Sequence, residues 1–213
     1  MAKSRMEESI GLYANIMAEV KVRIEFILRI ANAKVEMPAL IGREICYLQL
    51  RMVCELIALG CLLLHGDIKA AQAKDITKSY KADDLMRRLE AMHADFYPRP
   101  SIPTDSDTGI THFEPHPGPY LTKEDLIELV RRSGNIVHRG NLRRLLKGQE
   151  RVQAELPDVL EWAQKIISLL DKHLVIAKGH EHSVVCFMAD ASVGGQVRVL
   201  AARTASETPV PPA

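Results

Sequence analysis

A nearly continuous apolar segment in the first third of the chain most constrains how the chain can fold. Nine uncharged residues, 56–64, end a helical pattern that begins near residue 40. Apolar side chains surround most of the second half of this helix, so it must be covered on several sides. Nine residues are too few to cross a bilayer. We therefore predict a central buried helix over 40–65, ended by Gly66, and no membrane segment.

Three further helices are predicted from apolar residues that recur at three- and four-residue steps. They span about 6–33, 122–147 and 157–177. The second of them begins at Thr122, an N-cap residue that is followed by acidic residues in the first turn. Together with the central helix, they predict an all-α protein with a four-helix-bundle core, in a single helical domain over 1–178.

The remaining segments interrupt or follow this bundle. An insertion is predicted over 67–121, helical at first and then proline-rich. Its six prolines between residues 98 and 119 argue against a regular helix or an inner strand there. Two short strands joined around Gly194-Gly195 predict a β-hairpin appendage over 180–203. The proline-containing tail over 204–213 is predicted to be disordered.

One part of the third helix concentrates positive charge in a chain that is almost neutral. Seven Lys/Arg residues and one acid lie between residues 131 and 151, whereas the whole chain carries a net charge of +1. This asymmetry indicates a place for an anion such as phosphate, although a solvated helix face is the alternative. The predicted phosphate- or RNA-binding residues are Arg139, Arg143, Arg144 and Lys147.

A candidate catalytic group lies at the start of this basic segment. On a continuous helix that advances about 100° per residue, Arg131, Asn135 and His138 share one face. Arg132 lies on the neighbouring stripe and reaches the histidine only if Gly134 kinks the helix. Histidine, with an ordinary pKa of about 6.5, suits proton transfer near neutrality. We predict that His138 transfers protons, Arg131 or Arg132 stabilises a phosphate, and Asn135 orients the histidine or binds the phosphate.

The spacing of these residues resembles a known signature. Arg131 and His138 read as Arg-x6-His, and Arg132 and His138 read as Arg-x5-His. The pattern resembles the Arg-x(4–6)-His signature of HEPN (higher eukaryotes and prokaryotes nucleotide-binding) domains, over roughly residues 6–65 and 122–178. The resemblance implies a homodimeric helical bundle that cleaves RNA without a metal, as a toxin or defence component with an antitoxin or regulatory partner.

Two other interpretations remain open. Ser133 and Gly134 stand where family members commonly carry Asn directly after the arginine, and this departure favours a non-catalytic HEPN-like module. Such a module would bind a nucleotide, RNA or a partner protein. The third interpretation is a helical protein of an unrelated family, in which Arg131 and His138 are incidental.

A polar stripe runs along the predicted central helix at four-residue steps. Buried charges on such a helix must be paired. One interpretation is an Arg51–Glu55 ion pair, beside an Arg43–Tyr47 contact, at the surface or at an interface. The other is that the stripe faces the His138 helix and completes an anion pocket. The stripe comprises Arg43, Tyr47, Arg51 and Glu55.

No metal or other cofactor is predicted. Two histidine pairs, at 112/116 and 180/182, have no cysteine nearby in sequence and no shared helix face. The four cysteines form no CxxC pair, which is typical of buried thiols in a reducing compartment. Aromatic residues make up 5% of the chain, which argues against platforms that stack single-stranded bases. We expect a cytoplasmic protein without a secretion signal.

Overall fold

The computed structural model of the protein describes residues 5–65, 82–106, 111–137, 156–176 and 182–203. These stretches contain five α-helices and five β-strands. The helices are α1 (Arg5–Ala31), α2 (Ala39–Leu64), α3 (Ala82–Met92), α4 (Lys123–Val137) and α5 (Pro157–Leu170). The strands are β1 (Arg99–Asp105), β2 (Thr111–Pro115), β3 (Lys172–Ile176), β4 (His182–Asp190) and β5 (Gln196–Arg203).

The five strands form one antiparallel sheet in the order β2-β1-β3-β4-β5. The prediction of an all-α bundle with an appended hairpin was therefore wrong, because the protein has a mixed helix-and-sheet fold. Strands β4 and β5 do form a hairpin, and Gly194 and Gly195 adopt φ angles of 68° and 76° at its turn. This hairpin continues a sheet whose other strands come from the proline-rich segment and from the residues after α5.

The predicted helix over 157–177 ends earlier than its apolar pattern suggested. α5 stops at Leu170, and residues 172–176 form β3, which pairs with β4 over five residue pairs, among them Leu174 with Val185. Leu170 and Leu174 fit a helical step, but a run this short also fits the alternation of a strand. The neighbouring strand decides between the two, since its hydrogen-bonding groups need partners.

The proline-rich segment forms a β-hairpin, and β1 is an inner strand. The prediction that prolines would prevent such a strand was wrong. β1 pairs with β2 over five residue pairs but with β3 over only two. Pro100 has no N–H group to donate, yet its carbonyl oxygen accepts from the His116 amide at 3.1 Å. A short ladder tolerates the missing donor.

α2 is the central helix, with buried residues from Gly42 to Cys61. It packs against α1, α3, α4 and α5, while α1 and α5 also pack on the sheet. Burial raises the pKa of Cys61 to about 12, so this thiol stays protonated. Among the described residues, α2 is the one helix that is long and apolar enough to span a membrane, a property that core helices of soluble proteins share.

Two sets of hydrogen bonds join α1 to the sheet. Lys21 Nζ donates to the carbonyl oxygens of Met188 and Gly195, at 3.1 and 2.6 Å. His173 Nδ1 lies 2.8 Å from the Leu170 carbonyl and donates to it. His173 Nε2 therefore accepts from the Tyr13 hydroxyl at 2.7 Å. Burial lowers the pKa of His173 to about 4, since the core does not solvate an imidazolium.

This histidine predicts a loss of stability in mild acid. Between its unfolded pKa of about 6.5 and its folded pKa of about 4, the unfolded chain binds a proton that the folded chain lacks. The free energy of unfolding should therefore decrease as the pH falls through this window. Urea denaturation at both ends of the window measures the decrease, which should be smaller in His173→Asn. The exposed His112→Asn variant serves as control, and equal decreases in wild type and His173→Asn would contradict the assignment.

Candidate functional site

Four side chains from three helices meet where α2, α4 and α5 converge. Arg43 donates from its two terminal nitrogens to the two carboxylate oxygens of Asp158, at 2.6 and 2.7 Å. The Tyr47 hydroxyl donates to Asp158 Oδ2 at 2.7 Å. Arg132 donates to the same oxygen at 2.5 Å. We call this group of Arg43, Tyr47, Arg132 and Asp158 the Asp158 cluster.

The position of each cluster member on its helix, and its contacts there, orient its side chain. Arg43 and Tyr47 are one turn apart on α2 and share a face. Both guanidinium groups lie over the Tyr47 ring, with the Cζ atoms of Arg43 and Arg132 at 5.0 and 5.7 Å from its centroid. Asp158 lies in the first turn of α5, where the helix dipole favours a negative charge. The ring and the carboxylate thus fix both arginines.

The cluster keeps its carboxylate ionised. Burial alone would raise the pKa of Asp158, but hydrogen bonds from Arg43 and Tyr47 and the charges of both arginines lower it to about 2. Burial, together with Asp158, raises the pKa of Tyr47 to about 12. The cluster therefore holds two cations and one anion near neutrality.

The two arginines of the cluster differ in their access to solvent. The Arg43 side chain is 6% exposed, whereas that of Arg132 is 39% exposed. Arg43 is therefore enclosed by the protein beside the internal carboxylate and shielded from external ligands. Arg132 is held by that carboxylate and still reaches the surface, so it is the cluster member that can contact a ligand.

The adjacent arginines Arg131 and Arg132 have different surroundings. Arg131 is exposed and donates to Glu128 at 2.6 and 2.8 Å, and the structure does not bring it into the cluster. Asn135 lies one turn beyond Arg131 and is also exposed. His138 lies outside the described residues, directly after α4 ends at Val137.

The rest of the basic segment is not described either. The predicted phosphate-binding residues Arg139, Arg143, Arg144 and Lys147 lie outside the described residues. Within the part that is described, α4 continues through Gly134. A Cβ atom at Gly134 would lie 3.5 Å from Arg51 Nη1, an ordinary van der Waals distance, so the Arg51 side chain of α2 packs beside α4 at this position.

The predicted polar stripe of α2 divides into two parts. Arg51 Nε donates to Glu55 at 3.0 Å, and both side chains are partly exposed. Arg43 and Tyr47 face Asp158 and, through it, Arg132 of α4. The anion that pairs with the Arg43 end of the stripe is therefore a carboxylate of the chain itself.

Sequence reasoning missed Asp158, the acceptor that organises the site. An acidic residue in the first turn of a helix is common and needs no partner. Its hydrogen-bond partners on α2 lie 111 and 115 residues away in the chain, so no local spacing reveals the pairing. The available signal was Arg43 on an apolar helix, which requires a buried acid but does not say which one.

The comparisons and the metal-ligand geometry add no further assignment. Comparison of the chain with protein-family models, with curated proteins and with solved structures finds no match. In the part of the chain that the structure describes, no three His, Cys, Asp or Glu side chains are grouped so as to hold a metal ion.

Removing the charge of Asp158 should destabilise the fold. In Asp158→Asn, the buried guanidinium of Arg43 loses its counter-charge, and we expect the free energy of unfolding to fall by about 2–4 kcal/mol. Urea denaturation near neutral pH measures this change. The matched control is Glu128→Gln, which removes the partner of the exposed Arg131 and should leave stability unchanged. Equal effects of the two substitutions would show that the cluster has no special role in stability.

Proposed function

We propose that the protein is a metal-independent endoribonuclease that uses Arg132 and His138. The observation that carries the proposal is the placement of Arg132. Asp158 and the Tyr47 ring hold its guanidinium while 39% of the side chain stays exposed. Because α4 is unbroken through Gly134, Arg132 and His138, six residues apart, do not share a helix face, so in this proposal they act on the phosphate from different sides. A guanidinium that is already oriented loses little conformational freedom when it binds a phosphate.

These residues match the needs of RNA cleavage by internal transesterification. The 2′-oxygen attacks the adjacent phosphorus after losing its proton, and the 5′-oxygen leaves after gaining one. His138 transfers the proton at one of these oxygens, and water is the proton acceptor or donor at the other. Arg132 stabilises the added negative charge on the phosphorane oxygens. The products are a 2′,3′-cyclic phosphate and a 5′-hydroxyl group.

Arg132 rather than Arg131 is the arginine of the proposed site. Arg131 pairs with Glu128 at the surface and shares the exposed face of α4 with Asn135. We assign Arg131 and Asn135 to contacts with the RNA backbone outside the reacting phosphate. Asp158 acts as a positioning residue, because it contacts Arg132 and not the substrate.

We further propose that two copies associate through an apolar face of α1 and α2. Arg23 of α1 donates to Gln49 of α2 at 2.6 Å, so the outer faces of the two helices adjoin. On α2, the exposed apolar residues recur after 7 and 11 positions and therefore share one side. Extended apolar surfaces of this kind mark interfaces. This α1–α2 face comprises Leu12, Phe26, Ile41, Leu48 and Leu59, which are 37–47% exposed.

A charge in the α1–α2 face should separate the two copies. Leu48→Glu places a carboxylate in the middle of the apolar stripe, and burying it across the interface would be costly. Sedimentation equilibrium should give a dimer for the wild type and a monomer for this variant. Val193→Glu, at an exposed apolar residue away from the α1–α2 face, is the control and should remain dimeric. A monomeric wild type, or a dimeric Leu48→Glu variant, would rule out this interface.

The ribonuclease proposal predicts a specific order of variants. In EDTA, wild-type protein should cleave a mixed RNA and leave 2′,3′-cyclic phosphate ends, whereas His138→Ala should not cleave it. Arg132→Ala should lower kcat about 100-fold or more, as expected when a stabilising donor is removed. Arg131→Ala is the matched control and should retain activity within about tenfold, since an exposed phosphate contact adds mainly to binding. Gel analysis with end-group mapping measures all four proteins.

Other outcomes of this experiment point elsewhere. Equal cleavage by wild type and His138→Ala would indicate another site. Loss of activity in Arg131→Ala alone would show that the catalytic arginine is Arg131, on the exposed face of α4, and not Arg132. RNA binding without cleavage by a folded wild type would support the non-catalytic module. The internal partner of Arg132 favours this second function, because Asp158 already offsets part of the charge.

A further inference from the structure

The sheet has one face against the helices and one face away from them. His173, Cys186 and Val199 lie side by side on β3, β4 and β5. The first two are fully buried, and Val199 packs against the core. Because successive side chains of a strand point to opposite faces, the rows on either side of this one belong to the outer face.

One of these outer rows places an aromatic ring between two cations. Lys172 of β3 is paired with Phe187 of β4, and Phe187 is paired with Arg198 of β5. Phe187 is partly exposed and Lys172 is exposed. Strands about 5 Å apart put the two basic residues roughly 10 Å from each other, one on each side of the ring.

Arg198 is held in place at the edge of this row. Its guanidinium donates to Asp190 Oδ2 at 3.1 Å and to Ser192 Oγ at 3.2 Å. Asp190 offsets one of the two positive charges and restricts the arginine to one orientation. The row therefore combines an apolar ring, an oriented guanidinium and an ammonium group with a net charge of +1.

We infer that the Lys172–Phe187–Arg198 row binds single-stranded RNA. The ring stacks on one base, and the two cations contact the phosphates on either side of it. The inference rests on the proposed ribonuclease function and assigns this row as the surface that holds the substrate. α5, which carries Asp158, packs on the other face of the sheet, so the row holds a part of the RNA that has passed around the edge of the sheet from Arg132.

The dimensions of this surface favour RNA over a protein partner. A stable protein contact covers about 800 Å² on each side and has an apolar centre. In the adjacent row of Leu174, Val185 and Leu200, Val185 is 3% exposed, so this part of the face is covered, and only Leu200 is a large exposed apolar side chain. One ring with two flanking cations matches a few nucleotides and provides little base preference.

Fluorescence anisotropy with a labelled oligoadenylate of about twelve nucleotides tests the assignment. All proteins carry His138→Ala, so that the RNA stays intact. Phe187→Leu should raise Kd about tenfold because it removes stacking but keeps an apolar side chain, whereas Phe187→Tyr should retain the parent Kd. Lys172→Gln should lower the slope of log Kd against log salt by about 0.7, the contribution of one phosphate contact in a single strand. Lys34→Gln, at an exposed residue three positions beyond the end of α1, is the control and should change neither.

The outcomes separate this inference from the proposed function. Unchanged binding in both Phe187→Leu and Lys172→Gln overturns the inference, even if the enzyme with His138 intact cleaves RNA. Loss of self-association in Phe187→Leu with unchanged RNA binding assigns the row to a protein contact and also overturns it. If the binding changes are as expected but the protein with His138 intact does not cleave RNA, the RNA-binding surface is supported and the proposed ribonuclease activity is contradicted.

Discussion

The pairing of Arg43 with Asp158 is the interaction on which the arrangement of the helices depends. Arg43 is buried on the central helix, and a buried guanidinium without a counter-charge is strongly destabilising. The bidentate contact with Asp158 fixes the start of α5 against α2. Arg132 contacts the same carboxylate, so α4 is joined to both. A single acidic residue thereby sets the positions of three helices and of the proposed catalytic arginine.

This arrangement gives Asp158 two roles that are hard to separate. As a stabilising group, it neutralises charge that the core cannot otherwise accept. As a positioning group, it orients Arg132 and lowers the net charge around it. Under the proposed function, the orientation would favour binding of an RNA phosphate, whereas the lowered charge would weaken it. The contact with Asp158 orients the Arg132 guanidinium and also lowers the positive electrostatic potential around it.

The sequence predicted the helices better than it predicted the sheet. The apolar periodicity of α2 is long and unambiguous, whereas β3 is five residues long and follows α5 with one residue between them. β1 was missed because its prolines argue against an inner strand, and nothing in the local sequence reveals the short ladder with β3. Asp158 was missed for a related reason: its partners are distant in the chain. In each case, the deciding contact is non-local.

The sequence did not decide whether Arg131 or Arg132 belongs to the candidate site, and the structure distinguishes the two by their surroundings. Helical periodicity placed Arg131 with Asn135, and both are exposed on α4. It could not show that an acid from α5 would approach Arg132. Likewise, a low aromatic content described the chain as a whole but not the position of Phe187 between two basic residues. The pairing register of β3, β4 and β5 places Phe187 between these residues, and the composition of the chain does not reveal it.

The contacts between α1 and the β4–β5 hairpin have a consequence for synthesis of the chain. Lys21 donates to carbonyl groups that lie 167 and 174 residues later. At about 5–20 residues per second, a ribosome needs on the order of 10–30 s to make the intervening chain. During that interval, the side of α1 that will cover the sheet has no sheet to contact. The nascent chain therefore exposes this apolar side of α1 until translation reaches the hairpin.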